Sequence, residues 1–294
     1  MTGPIGRPPS PGEDADNGYG EEDDGGGGNR EGGGYLLDNA AAAAGARFTA
    51  FGALFDPSTF RHMAALGLDP GWRCWEVGAG GSSVVRFLAD QVGPEGYVLA
   101  TDIDVSWAEA AASGPPVEVR RHDVAADPGP EGEFDLVHAR LVLVHVTDRR
   151  AAFDAMVAAL RPGGWLFIED ADPALQPLSC LEELGPDQAL ANRLRTGFRA
   201  LMAERGADLA YGRTLPRLLR EAGLGEVGAD AAFPVALPEC AQLETATITM
   251  IREQLVAHGV ATEEDIERHL ANVAAGRLDL AQPPMIAAWG RRPF

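Results

Sequence analysis

The sequence contains no lysine; its 24 basic side chains are all arginine, and they face 44 acidic ones, for a formal net charge of −20. Such a balance repels a phosphate backbone and disfavours a nucleic-acid partner. Cysteine is scarce as well. Cys74, Cys180 and Cys240 are odd in number and widely spaced, which fits neither a disulfide framework nor a zinc site and reads as reduced thiols in a cytoplasmic protein. No run reaches the roughly 18 apolar residues of a membrane helix. The N-terminus is acidic and glycine-rich, not basic and then apolar, so neither a membrane location nor secretion is expected.

What is present is enough apolar material, 46% of 294 residues, for one large α/β domain or two small ones. Residues 1–34 hold twelve glycines, eight acids and two arginines, a composition that gains too little by ordering and predicts a disordered tail. From Tyr35 apolar residues recur at helical spacing through Phe48, Phe51 and Phe55, and Pro57-Ser58 is expected to end one helix and restart another up to about Leu68. An alternation of strands (72–77, 97–101, 116–121, 134–138, 164–169) with helices (82–92, 105–112, 149–160) follows. It implies a Rossmann-like, mostly parallel sheet. Two segments, 173–210 and 238–277, interrupt the rhythm and read as helical insertions, and 284–290 reads as a last strand. The organisation expected is therefore a tail, 1–34, and a domain, 35–294, with an N-terminal helical part (35–70), a cofactor-binding core (71–172) and the two insertions as a substrate cap.

The chemistry sits in Cys74-Trp75-Glu76-Val77-Gly78-Ala79-Gly80-Gly81-Ser82-Ser83, followed by a helix and by Thr101-Asp102-Ile103-Asp104. Strand, glycine turn, helix and a second strand ending in an acid grip an adenosine-containing cofactor: the turn admits close backbone approach, the helix offers free N–H donors and the acid accepts ribose hydroxyls. Gly78-x-Gly80-x-x-Ser83 also passes for a dinucleotide fingerprint. Glu76 speaks against that, because a carboxylate beside a pyrophosphate is unfavourable, whereas it suits a cofactor bearing a sulfonium and an ammonium.

At this point residues 72–172 resemble the class I S-adenosylmethionine-dependent methyltransferases. Glu76 to Gly80 is similar to that family's first motif, and Asp102 to the acid that binds the ribose, next to Ile103. His122-Asp123-Val124 resembles the adenine site, with the Asp123 acid at the amino group and a backbone N–H beside it at the ring. Phe134 to Arg140, which includes His138 and Ala139, resembles the fourth strand beside the methionine portion, and Leu160 to Leu166 the turn into the fifth. The resemblance implies a seven-stranded sheet with an antiparallel last strand, S-adenosylmethionine as cofactor, and a lid in which Tyr35 and Arg47 approach the methionine end. Together with an arginine-, alanine- and glycine-rich composition that suggests a GC-rich, actinobacterial coding bias, it points to methylation of O, N or C of a small aromatic or cyclic secondary metabolite.

Methyl transfer needs alignment and, for many acceptors, a base. His145, in Leu141-Val142-Leu143-Val144-His145-Val146, is the first candidate and His138 the second. No cluster with metal-ligand character stands in this segment, so a metal-free site is expected. Arg140 is expected to pair with Glu169 or Asp170 or to contact the methionine portion; Glu244, within the apolar face of its helix, is expected to lie exposed at an edge or to meet a polar group on the substrate; and Trp75 is expected to belong to the core. Three narrower readings stay open: C3-methylation of an indole in a tryptophan-derived cyclic dipeptide, an NAD(P)-dependent oxidoreductase, and a protein that binds the cofactor without methylating.

Overall fold

The computed structural model describes Leu36, residues 42–109 and residues 114–294. Residues 1–34 and Tyr35, for which a tail and a lid contact were expected, lie outside the described residues.

Helix α1 (Ala42–Ala65) leads into β1 (Arg73–Val77), α2 (Ser83–Val92), β2 (Tyr97–Asp102), the short α3 (Ser106–Glu109) and β3 (Val117–Arg121). After these come β4 (Phe134–Arg140), α4 (Arg149–Ala159), β5 (Leu160–Ala171), α5 (Pro186–Glu204), α6 (Leu215–Glu221) and β6 (Gly225–Ala232). Helices α7 (Pro238–Met250), α8 (Arg252–Ala257) and α9 (Glu263–Ala274) precede the final strand, β7 (Met285–Arg291). The strands form one seven-stranded sheet in the order β3-β2-β1-β4-β5-β7-β6. Strands β1 to β5 pair in parallel, and β7 runs antiparallel to both β5 and β6. This is the Rossmann-like arrangement with an antiparallel final strand that the sequence implied.

Both faces of the sheet are covered, and side-chain alternation along β1 distributes the core between them. Trp75 and Val77 pack with Phe153 and Met156 of α4 and Leu215 and Leu219 of α6. Cys74 points to the opposite face, towards Val84, Val85 and Leu88 of α2 and Met63 of α1. A further apolar cluster joins α5 (Leu190, Leu194) to Ile248 of α7, Leu255 of α8 and Ile266 of α9. All three cysteines are free and buried.

One expectation is corrected. Helix α1 runs unbroken through Pro57, although an internal proline removes a helix hydrogen bond at a cost of about 3 kcal/mol. Tertiary contacts on both sides offset this: Phe55, Thr59 and Met63 are fully or almost fully buried, and Asp56 and Thr59 both bind Arg140.

The turn after β1 depends on glycine where the chain doubles back. Gly78 has φ 66°, and a Cβ there would run into Val142 Cγ2. Gly78→Ala is expected to destabilise the protein by about 2–4 kcal/mol, part backbone strain and part overpacking. In thermal melts, Gly78→Ala combined with Val142→Ala should recover the packing part and leave the backbone part.

Candidate active site

Two cavities open above the C-terminal ends of the parallel strands, where α/β sheets place their ligands. The larger, about 2010 Å³ and open to solvent, is lined by the β1 turn (Glu76 to Gly81), by Asp102 and Ile103 at the end of β2, by residues 122–126 after β3 and by residues 140–142 and 145–148 after β4. Arg47, Phe48 and Phe51 of α1 form a further wall. Phe48 packs against Gly81 and sets its ring edge-on to Trp107, with centroids 5.9 Å apart.

Asp102 braces the turn. Its Oδ2 accepts the Gly80 N–H at 2.9 Å and its Oδ1 the Asp104 N–H at 3.0 Å, while the carboxylate remains part of the cavity wall. Asp123 is exposed at the rim, with Oδ1 accepting the Ala125 N–H at 2.9 Å. Of the sequence candidates, Arg47, Glu76, Gly78, Gly80, Asp102, Ile103, Asp123, Val124 and His145 thus surround one cavity.

His138 and Ala139 do not. Both are completely buried, and strand β4 turns them into the sheet, so the cavity wall begins one residue later at Arg140. His138 is clamped between carboxylates, with Nδ1 2.6 Å from Glu76 Oε2 and Nε2 3.3 Å from Glu169 Oε2. Burial disfavours its imidazolium, but Glu76 and Glu169 outweigh burial and push its pKa up to about 9. A protonated, walled-in imidazole cannot serve as the base, which corrects the second catalytic candidate. The chain of contacts continues from Glu169 Oε2 to Thr59 Oγ1 at 2.5 Å, and from there to Arg140 Nη1 and Asp56 Oδ1. Arg140 therefore pairs with Asp56 and reaches Glu169 only through Thr59, in place of the direct bridge expected.

The smaller cavity, about 790 Å³ with the space that opens to solvent included, lies among α1, α5, α7 and the segment before β7. Its walls carry Phe51, Phe55, Phe198, Leu243, Ile248 and Met285, with Arg195, Glu244, Gln282, Thr247, Arg47 and His145 as polar members. Arg47, Phe51, Leu141, His145 and Met202 belong to the walls of both cavities. Leu141 sits at the bend after β4 in a left-handed conformation, φ 56°, held by its N–H on the Glu169 carbonyl at 2.8 Å. Such strain is sustained only where neighbouring contacts fix it, and here it turns the chain so that Leu141, Val142 and His145 face the cavities. Burial, with the cations of Arg47 and Arg149 beside it, holds the His145 imidazole down to about 4.

Sequence reading missed Phe48 and Met202 as wall residues, and the helical spacing of Phe48 and Phe51 was the available signal for the first. Glu244 is not exposed at a helix edge but buried between Arg195 and His269 on the wall of the smaller cavity, on the side of the inward of its two readings. Among the described residues no group of three or more His, Cys, Asp or Glu side chains is placed to hold a metal ion, and no helix is long and apolar enough to cross a membrane.

Residues 75–168 match the family described as a methyltransferase domain. A methyltransferase of Strobilurus tenacellus, str2, is 33% identical over 156 residues, 52% of this chain and 53% of that protein. The phosphoethanolamine N-methyltransferase of Triticum aestivum is 26% identical over 191 residues, 63% of this chain and 34% of that protein. The chain spans about half the length of the first curated relatives it matches. Among solved structures, phosphoethanolamine N-methyltransferase 2 of Haemonchus contortus, in complex with phosphomonomethylethanolamine and S-adenosylhomocysteine, shares the fold with a TM-score of 0.54 at 13% identity, over 88% of this chain and 60% of that one. The YcgJ protein of Bacillus subtilis shares it with a TM-score of 0.53 at 13% identity, over 81% of this chain and 99% of that one. Residues 75–168 are therefore similar to the methyltransferase-domain family, and the seven-stranded sheet around them shares the fold of these solved structures.

Proposed function

We propose that the protein transfers a methyl group from S-adenosylmethionine to an atom of a small, ring-bearing metabolite of secondary biosynthesis, with the cofactor in the larger cavity and the acceptor in the smaller. The observation that carries this reading is the shared wall, in which His145 stands where the two cavities meet. The residues of the larger cavity fit the cofactor. Glu76 and Asp102 are both residues of its wall, and two buried nitrogens there, Arg47 Nε and His122 Nδ1, have no partner among the described residues.

In this reading Asp102 accepts the ribose hydroxyls, Asp123 and Val124 meet the adenine beside Ile103, and Gly78 and Gly80 give the backbone room to approach. Glu76 faces the cationic end of the cofactor, and Arg47 its carboxylate. S-adenosylmethionine supplies an electrophilic methyl on a sulfonium. The chain's own task is to align an acceptor against it and to receive a proton.

An imidazole held at about 4 is neutral at every physiological pH but is a weak base. Taking a proton from a phenol of pKa near 10 before transfer would be uphill by about 8 kcal/mol. Acceptors that turn strongly acidic on methylation, such as an aromatic carbon or a neutral oxygen, need no stronger base. The imidazole thus suits a carbon or a neutral oxygen acceptor alike, and C3 of an indole in a tryptophan-derived cyclic dipeptide is the case to assay first, given the rings of Phe51, Phe55 and Phe198 in the cavity.

Calorimetry with S-adenosylhomocysteine, alongside thermal shifts with that ligand and with NADPH, tests the cofactor. Micromolar binding of the former and no shift with the latter are expected; the reverse would restore a dehydrogenase. With a methyl-labelled cofactor and a turned-over acceptor, His145→Ala should lower kcat about 100-fold and leave cofactor affinity unchanged. Full activity in this variant would remove His145 as base. Binding without labelled product from any acceptor would leave a cofactor-binding protein. Because the base must be neutral, kcat/KM should be flat above pH 6 and fall as pH drops through about 4.

A further inference from the structure

The transfer chemistry leaves one charged cluster in the smaller cavity unused. Arg195 of α5 is 4% exposed and directs Nη2 to Glu244 Oε2 at 3.3 Å, the Ala281 carbonyl at 3.2 Å, Ser179 Oγ at 3.4 Å and Gln282 Oε1 at 3.5 Å. The other oxygen of Glu244 lies 3.0 Å from His269 Nε2. Four acceptors converge on one guanidinium nitrogen. Nη1 is buried and has no partner among the described residues, although a guanidinium offers donors on both terminal nitrogens and a buried unmade hydrogen bond is costly.

Arg195, Glu244 and Gln282 all line this cavity, whose remaining walls are largely apolar. Burial opposes ionisation of Glu244, but the bonds from His269 and Arg195 hold its carboxyl below the ordinary range. The Arg195 charge is thus already balanced inside the protein. A substrate carboxylate would bring a second negative charge against Glu244, and the other guanidinium on this wall, Arg47, is the one assigned to the cofactor's carboxylate. A neutral carbonyl oxygen needs only a donor.

We infer that the acceptor substrate is an uncharged, ring-bearing molecule with a carbonyl oxygen, and that Arg195 Nη1 is the donor that recognises this oxygen. The inference rests on the reading of the smaller cavity as the acceptor site. It makes Arg195 a specificity-determining residue distant from the reacting atoms, with Glu244 as the residue that sets the charge it will tolerate.

The test uses three probes of matched shape: 4-phenylbutan-2-one, its hydrocarbon isostere 3-methylbutylbenzene, and its carboxylate isostere 3-phenylpropanoate. Affinities are measured by ligand-observed NMR on the full chain, with and without S-adenosylhomocysteine. The ketone is expected to bind at least tenfold more tightly than either isostere. Arg195→Lys, which keeps a cation beside Glu244 but loses the guanidinium fork, should bring the ketone down to the hydrocarbon while S-adenosylhomocysteine affinity holds. Glu244→Gln should reverse the order of ketone and carboxylate by unbalancing Arg195.

Equal binding of ketone and hydrocarbon, no binding of the ketone, a preference for the carboxylate in the unaltered protein, or a ketone preference that survives in Arg195→Lys would each overturn the inference. Should Arg195→Lys fail to fold, the wild-type ranking and Glu244→Gln decide the matter. Failure of S-adenosylhomocysteine to bind would instead sink the cofactor reading, and the probe ranking without it stands as a separate result.

Discussion

Asp102→Ala is expected to weaken binding of S-adenosylhomocysteine about 100-fold. Two charge-assisted hydrogen bonds are removed from the proposed ribose position, together worth roughly 3 kcal/mol. The same carboxylate also pins the N–H groups of Gly80 and Asp104, so the turn loses its brace. Asp102→Asn separates the two contributions, because its one amide oxygen can still accept a backbone N–H but has lost the charge. A loss of about tenfold is expected there, with a melting temperature close to that of the unaltered protein. Calorimetric affinity unchanged by Asp102→Ala would take this residue out of the cofactor site.

Replacing His138 by leucine is the second large effect. It removes the cation between Glu76 and Glu169, both about 2% exposed or less, and breaking a buried charge pair in this way costs about 3–5 kcal/mol. A fall of roughly 10 °C in melting temperature is expected for a chain of this size. The sign of the pH dependence follows from the raised His138 pKa. Its folded value of about 9 lies above the ordinary 6.5, so its stabilisation is complete below about pH 6.5 and is lost as pH rises through 9. The buried thiols of Cys74, Cys180 and Cys240, all pushed up by burial, add a decline of the same sign from about pH 8.5. The informative quantity is therefore the difference between the wild-type and His138→Leu curves, which should shrink between pH 7 and 9.5. A constant difference would mean that His138 is neutral in the folded protein.

The sheet was legible in the sequence because strand and helix periods differ and the chain alternates between them: the boundaries expected for β1, β2, β3 and α2 fall within one residue of those observed. The cavity-facing residues at the strand ends were legible for the same reason, since a glycine turn and the acid after β2 have fixed positions relative to their strands. Pairings across the sheet were not. Glu76 was readable as a carboxylate near a cofactor, but its bond to His138, 62 residues on, depends on register between β1 and β4. Glu244 was readable as lying within the apolar face of its helix but its partners were not, because helical periodicity describes a single helix, whereas α5 and α9 bring Arg195 and His269 against it from 49 and 25 residues away. Pro57 misled in the same way, because a local rule was overridden by contacts that Asp56 and Thr59 make elsewhere.

The contacts between α1 and the strand ends also bear on where the domain can be cut. A fragment trimmed to the matched segment, 75–168, would discard Asp56, Thr59 and Glu169, leaving Arg140 without its partners and His138 with one carboxylate of its two. It would also strip β7 from the edge of β5, exposing a row of unpaired backbone groups ready to pair with another chain. An expression fragment ending near residue 168 is therefore a candidate for aggregation, and a self-sufficient unit has to span α1 through β7.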